Sequence, residues 1–432
     1  MCIPDSVFLM SQQVFLRDAM RRLNFTRDGL AQRLGVSRRA LDSWLLPDDS
    51  AEMRKMPDIA QRFVLEILKG SAVASQHADS RPHGNEEVAR HLLSVETYTR
   101  ESVEEMLRIA DMMQPVARRQ KTTRVLEGAV LANLFFEAST RTRLSFASAF
   151  ARLGGSVCDT TGFTFSSMAK GESVADTSRV ISGYADIIVV RHPELGAVAE
   201  FAEATHVPVV NAGDGPGEHP SQALLDLYTI QREFSRLDKL VDGAHIAFVG
   251  DLKYGRTVHS LSKLLALYRN LTFTLVSPTA LALPEHLVQY LADKGHRVEQ
   301  TQDLANGLKG ADVVYATRIQ KERFAEQETL EGYSADFQVN QALVNAVCGA
   351  HTLIMHPLPR DSRPDANDLS TDLNLDSRLA IFKQTDNGIA VRMAIFASLL
   401  GVEDQVQRSL RDVGWRVPIY LGPDEVVPYR EQ

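Results

Sequence analysis

Short runs of branched and aromatic residues recur between residues 129 and 355, separated by amphipathic stretches, and this alternation constrains the fold more than any other feature. The runs are Ala129–Phe136, Ala185–Val190, Val207–Val210, His245–Val249, Thr272–Val276, Asp312–Ala316 and Thr352–Met355. Each has the length and branched or aromatic content of a strand, and most are continuously apolar, as strands covered on both faces are. Strands alternating with helices give parallel sheets flanked by helices. The region is too long for one sheet and one core. The expectation is α/β: two doubly wound parallel-sheet domains.

The flanks read differently. Residues 1–70 look helical and form a small all-α N-terminal domain. Residues 71–92, beginning GSAVASQHADSRPHGNEEVA, are small, polar and broken by Gly and Pro, as a linker is. The first α/β domain spans 93–235 and the second 236–384, and 404–432 form a tail.

Composition excludes several classes. Hydrophobic residues are 44% and charged residues 24% of the chain. No apolar run reaches the ~18 residues of a membrane span, and the N-terminus lacks the pattern of a signal peptide. Cys2, Cys158 and Cys348 are isolated, so neither a disulfide framework nor a zinc site is expected, and a cytoplasmic location follows as the default. A net charge of -8 argues against broad nucleic-acid coating.

Chemistry gathers where the strand runs end. AVLANLFF runs into Glu137 and Ser139-Thr140-Arg141-Thr142-Arg143, ADIIVV into Arg191, HIAFV into GDLKYGR with Arg256, DVVYA into Thr317-Arg318, and TLIM into HPLPR. Ligands of open α/β sheets bind beyond the carboxyl ends of the strands. A single arginine there can be a solvated helix-start residue. Several together, beside helix N-termini that already attract anions, suit a strongly anionic small substrate. In Ser139–Arg143 a buried strand leads into a helix with apolar positions at Leu144, Ala147, Phe150 and Ala151. Ser139 or Thr140 then stands at the N-cap, where free N–H groups, hydroxyls and guanidiniums converge as a phosphate site. A plain cap is the simpler reading of the first two residues alone. The run is not a Walker loop, and Gly250–Gly255 does not fit G-x-G-x-x-G.

FFEASTRTRLSFASAFARLGG resembles the carbamoyl-phosphate signature of the aspartate and ornithine carbamoyltransferases. SSMAKGES, VVRHP, NAGDGPGEHPSQALLDL, VGDLKYGRTVHSL, YATRIQKER, HPLPR and FKQTDNGIAVRMAIFASLL follow in the family's order. HPLPR in place of a cysteine-containing H-C-L-P, the Arg318-Ile-Gln320 pattern and the lack of a Ser-Met-Gly element favour aspartate over ornithine as acceptor. The resemblance implies a carbamoyl-phosphate domain, completed by a C-terminal helix over 385–403, and an aspartate domain, with no metal and no organic cofactor. It implies that Ser139, Thr140, Arg141, Thr142 and Arg191 bind phosphate. His219 and Gln222 would contact the carbamoyl group, and Arg256, Arg318 and Gln320 the carboxylates of aspartate. The carbonyls of Leu358 and Pro359 would receive the attacking amine. Ser166 and Lys170 resemble the loop that the family inserts into a neighbouring subunit's site, which implies a homotrimer with shared sites. By the same resemblance Thr142, Arg191, His219 and Lys170 carry the chemistry.

Outside that region, TRDGLAQRLGVSRRALDSWL over Thr26–Leu45 resembles a repressor-type helix-turn-helix, with Gly35 in the turn and Ser37 capping the second helix. Residues 1–70 hold 11 Lys+Arg against 9 Asp+Glu, a weak balance for DNA, so docking onto a neighbouring trimer or another enzyme stays open beside DNA binding. A carbamoyltransferase for another amine, and a regulator using the enzyme fold as a ligand sensor, are the alternative functions.

Overall fold

Strands that are apolar on both faces need cover on both, and the packing of this chain follows from that need. The computed structural model describes residues 12–22, 27, 30–31, 34–46, 50, 52–57, 60–61, 64, 91–162, 171–318, 337–361 and 368–415. It divides into one unit up to Glu87 and a second from Val88 onward.

In the first unit, α1 (Gln12–Arg22) and α2 (Arg38–Trp44) contribute to a core of Phe15, Leu16, Leu30, Leu41, Trp44 and Leu45. Ser37 caps α2, its Oγ accepting from the amide of Ala40 at 3.2 Å. Gly35 takes φ +66°, the turn geometry that the sequence suggested. The helix expected before that turn is described only in part. Asp42 of α2 accepts from Arg38 at 3.1 Å and from Arg27 at 3.3 Å, so two of the basic side chains near α2 already have an acid beside them.

The second unit opens with α3 (Arg100–Ala117), whose N-cap Thr99 forms a capping box with Ser102. Next come β1 (Lys121–Thr122), β2 (Val130–Phe135), α4 (Thr140–Arg152), β3 (Ser156–Thr161), α5 (Val174–Ile181), β4 (Ile187–His192), α6 (Ala197–Ala204), β5 (Val209–Asp214) and α7 (Pro220–Ser235). The chain continues through β6 (His245–Val249), α8 (Arg256–Leu265), β7 (Thr272–Val276), α9 (Glu285–Asp293), β8 (Arg297–Thr301), α10 (Leu304–Leu308), β9 (Val313–Ala316), α11 (Gln341–Val347) and β10 (Leu353–Met355). It closes with α12 (Ile381–Leu400), α13 (Glu403–Ser409) and β11 (Arg411–Asp412), which pairs antiparallel with β1.

Two parallel sheets result, ordered β3-β2-β4-β5 and β10-β9-β6-β7-β8. Their inner strands are the apolar runs of the sequence: every residue of β4 and β9 is buried. The sequence reading missed β3 and β8. Each lies at the edge of its sheet and is written in polar residues, SVCDTT and RVEQT, because water reaches it. Helix α4 also differs from expectation. Leu144, expected inside, is 53% exposed, and the buried face is Phe146, Ala149 and Phe150.

The reason is α12, which packs on α3, α4 and α7 and returns the chain from the second sheet to the first. Phe396 of α12 stands edge-on to Phe146 and Phe150, with centroids 5.8 and 5.0 Å away. That contact selects the face of α4 that turns inward. One apolar cluster therefore contains Leu131 and Ile187 of the first sheet, Ile246 and Phe248 of the second, and the inner face of α12. Among the described residues no helix is long and apolar enough to cross a membrane.

Phe396 is 0% exposed, so Phe396→Ala should lower the unfolding free energy by ~3–5 kcal/mol in urea denaturation. Leu375→Ala, at an 84% exposed position, should change it by no more than ~0.5 kcal/mol. Similar effects from the two would contradict this account of α12.

Candidate active site

Three helices begin just beyond strands of the two sheets and point their free amide ends at one cleft of about 460 Å³. The first is α4. Its N-cap Ser139 is extended (φ -161°, ψ 99°) and its side chain makes no capping hydrogen bond, unlike Ser37 or Thr99. The cap position was legible in the sequence; the uncommitted hydroxyl was not. Ser139, Thr140, Arg141 and Thr142 line the cleft. Arg143 turns away and pairs with Asp159 on the edge strand β3 at 3.0 Å. The two arginines of the run thus separate, one to the cleft and one to the sheet.

The second helix, α7, has His219 at its N-cap and Pro220 in its first turn, where a missing N–H costs nothing. His219 is buried, its backbone amide donates to Ser260 Oγ at 3.3 Å, and its Nδ1 has no partner among the described residues. Burial, then the nearby Arg256, Arg191 and Arg392, hold the imidazole pKa well below its ordinary 6.5. His219 is a neutral ring in a cationic site. Gln222 follows on the same helix and also lines the cleft.

Arg256 is the first residue of the third helix, α8. Its Nη1 donates to the carbonyl of Gly215, and its Nη2 lies 3.5 Å from Glu137. Glu137 also holds Arg191 of β4 at 2.9 Å, and Arg191 Nη1 donates to the carbonyl of Ala212 at 3.3 Å. One carboxylate thereby joins an arginine of β4 to the one that opens α8. Both guanidiniums press on Gly213, where a Cβ would stand 3.0 Å from Arg191 Nη1 and 3.4 Å from the Arg256 guanidinium. The glycine at φ +131° is what lets the pair sit there.

The opposite wall comes from the second sheet. Arg318 lies just past β9 and lines the cleft. The neighbouring Thr317 bonds to the carbonyl of Val249 at 3.0 Å. After β10, His356 Nε2 bonds Asp368 at 2.8 Å while its Nδ1 accepts from the amide of Leu358 at 2.9 Å. The imidazole holds Leu358 in left-handed backbone (φ 56°), and Leu358 and Pro359 line the cleft.

Helix α12 supplies residues to which the sequence reading gave no role. Arg392 is buried, donates to Ser145 Oγ at 2.9 Å and lies 4.8 Å over the ring of Phe146. Burial pushes its guanidinium down to about 10, so it stays charged at neutral pH. A Cβ on Gly388 would stand 2.4 Å from Arg392 Nη1, so the glycine one turn earlier makes room for the guanidinium. That spacing in DNGIAVR was the available signal. Glu137, quoted in the signature, was likewise given no role. Ser166, Lys170 and Gln320 lie outside the described residues.

Among the described residues the cleft is lined by Arg141, Arg191, Arg256, Arg318 and Arg392 and by one carboxylate, Glu137. With three helix N-termini added, it is built for a ligand carrying several negative charges. Among the described residues no cluster of His, Cys, Asp and Glu could hold a metal ion.

Residues 90–232 match the family model described as "Aspartate/ornithine carbamoyltransferase, carbamoyl-P binding domain", and residues 242–399 match "Aspartate/ornithine carbamoyltransferase, Asp/Orn binding domain". The aspartate carbamoyltransferase catalytic subunit of Dichelobacter nodosus is 58% identical over 320 residues, 74% of this chain and 92% of that one. The solved catalytic subunit of M. jannaschii aspartate transcarbamoylase has a TM-score of 0.66 and 44% identity, covering 72% of this chain and 98% of its own. Trypanosoma cruzi aspartate transcarbamoylase, solved with carbamoyl phosphate and aspartate, has a TM-score of 0.66 and 39% identity, covering 71% of this chain and 96% of its own. The chain belongs to the aspartate/ornithine carbamoyltransferase family.

Proposed function

We propose that this chain transfers the carbamoyl group of carbamoyl phosphate to the amine of L-aspartate, giving N-carbamoyl-L-aspartate and phosphate, the committed step of pyrimidine synthesis. The observation that carries the reading is the meeting of the Ser139–Thr142 helix start with Arg256 and Arg318 in one cleft. A phosphate and a dicarboxylate each have cations there. The relatives named above act as support for the same substrates.

The reaction follows from those groups. Phosphate sits on the α4 amides, the hydroxyls of Ser139 and Thr140, Arg141 and Arg191. Arg256, Arg318 and Gln320 hold the aspartate carboxylates, and the Leu358 and Pro359 carbonyls accept from its amine. The amine nitrogen attacks the carbamoyl carbon, and negative charge grows on the carbonyl oxygen. Thr142, Arg191 and neutral His219 donate to that oxygen, each such donor being worth ~2.7–4 kcal/mol. The C–O bond to phosphate then breaks, and the amine proton leaves to phosphate or solvent. Arg141, Arg191 and Lys170 stabilise the departing anion. No covalent nucleophile is needed, because two oriented anions supply much of the acceleration.

In this reading residues 93–235 with the 385–403 helix form the carbamoyl-phosphate domain, and 236–384 the aspartate domain. Ser166 and Lys170 act in a neighbour's site, which makes a cytoplasmic homotrimer the working unit. A trimer would also cover exposed apolar side chains such as Tyr184, 73% exposed. The N-terminal unit is a helix-turn-helix-like accessory. The acid at Asp42 favours a docking role over DNA binding.

The full-length chain should form carbamoyl-aspartate from carbamoyl phosphate and aspartate, with ornithine inert. Arg318→Ala should lower kcat/KM for aspartate by roughly 10–100-fold, the worth of a lost charge-assisted hydrogen bond. Turnover with ornithine or putrescine but not aspartate would overturn the assignment.

A second outcome concerns pH. The folded pKa of His219 lies below the ordinary 6.5, so the folded chain binds fewer protons there than the unfolded chain. Stability is full above 6.5 and falls as pH drops below it. Relative to His219→Gln, the native chain should lose stability between pH ~6.5 and ~5 in denaturant titrations. A difference independent of pH would show that His219 is not held neutral.

A further inference from the structure

Asp226 lies fully buried on α7, one turn beyond Gln222, and the reaction above gives it no task. Its Oδ1 accepts from Gln384 Nε2 at 2.6 Å and from Gln222 Nε2 at 2.9 Å. Its Oδ2 meets the Tyr315 hydroxyl at 2.6 Å. Tyr315 belongs to β9 of the second sheet and Gln384 to α12, so three elements join at this carboxyl.

The direction of these bonds can be fixed from one end. The backbone amide of His356 bonds Gln384 Oε1 at 3.1 Å, and a backbone N–H can only donate. Gln384 must therefore turn its NH2 toward Asp226, which makes Oδ1 an acceptor. Gln222 meets the same oxygen, so it too must donate. Its remaining amide atom, the carbonyl oxygen, is then what it offers to the cleft it lines. Burial pushes the Asp226 carboxyl up to about 7. The conclusion holds in either protonation state, because a proton would sit on Oδ2 beside Tyr315.

We propose that Asp226 is a positioning residue that locks the Gln222 amide with its carbonyl oxygen toward the cleft, as the acceptor for the NH2 of carbamoyl phosphate. The proposal rests on the reading of the cleft as the carbamoyl-phosphate site. A flipped Gln222 would set a donor against a donor. Asparagine at position 226 could present its own NH2 to the glutamines and let Gln222 turn over. The lock discriminates on the NH2 alone. Acetyl phosphate, with a methyl group in that place, and inorganic phosphate are indifferent to it.

The test compares these ligands on the full chain. Asp226→Asn should raise the KM for carbamoyl phosphate roughly tenfold, while inhibition by phosphate and acetyl phosphate shifts less than about twofold. In a Gln222→Ala background the same change should add less than about twofold, because Asp226 acts through Gln222. An equal loss for all three ligands, or a full effect on top of Gln222→Ala, would overturn the proposal. Should Asp226→Asn not fold, Tyr315→Phe removes the partner that fixes Oδ2, so the carboxyl can swing and its hold on Gln222 loosens. It should raise the carbamoyl-phosphate KM about threefold with phosphate inhibition unchanged, and no selective change would count against the proposal. Native protein that binds neither carbamoyl phosphate nor phosphate would instead defeat the reading of the cleft.

Discussion

Arg191 and Arg256 meet over Gly213 with one carboxylate, Glu137, between them, and the rest of the site depends on that arrangement. Two buried guanidiniums side by side repel unless something negative stands close. Glu137 and the carbonyls of Ala212 and Gly215 help to hold them. Among the described lining residues arginines outnumber carboxylates, which suits an anionic ligand. Burial, and then the same field, keep His219 neutral, which suits a ring that donates a hydrogen bond without adding a further charge.

The two sheets are linked by packing and by polar contacts. Helix α12 packs Phe396 against the first domain's α4, and its Gln384 reaches His356 and Asp226. Apolar burial sets the strength of this union. The hydrogen bonds set its register, because each buried polar atom has few partners that satisfy it. The backbone amide of His356, in the second domain, is linked in this way through the side chains of Gln384 and Asp226 to the amide of Gln222 in the first.

Much of this was legible in the sequence, for reasons that can be named. Central strands such as β4 and β6 are buried on both faces and announce themselves as apolar runs. The edge strands β3 and β8 do not, since their polar residues read as loop. Ser139–Thr142, Arg191 and Arg256 stood out because they lie at or soon after the ends of apolar strand runs, whereas His219 came with the family resemblance. Arg392 and Asp226 were missed because they sit inside helices, where a lone charge in an apolar stretch gives no sign of what it faces. The inward face of α4 was misjudged because Phe396, far along the chain, decides it.

In the proposed reading one cleft binds a phosphate at the start of α4 and a dicarboxylate at Arg256 and Arg318. A crystal structure of the full-length chain with carbamoyl phosphate and succinate, a dicarboxylate that cannot react, tests it most directly. The account predicts phosphate oxygens on the amides and hydroxyls of Ser139–Thr142 and succinate carboxylates on Arg256 and Arg318. Phosphate bound elsewhere, or succinate occupying the α4 start in its place, would contradict it.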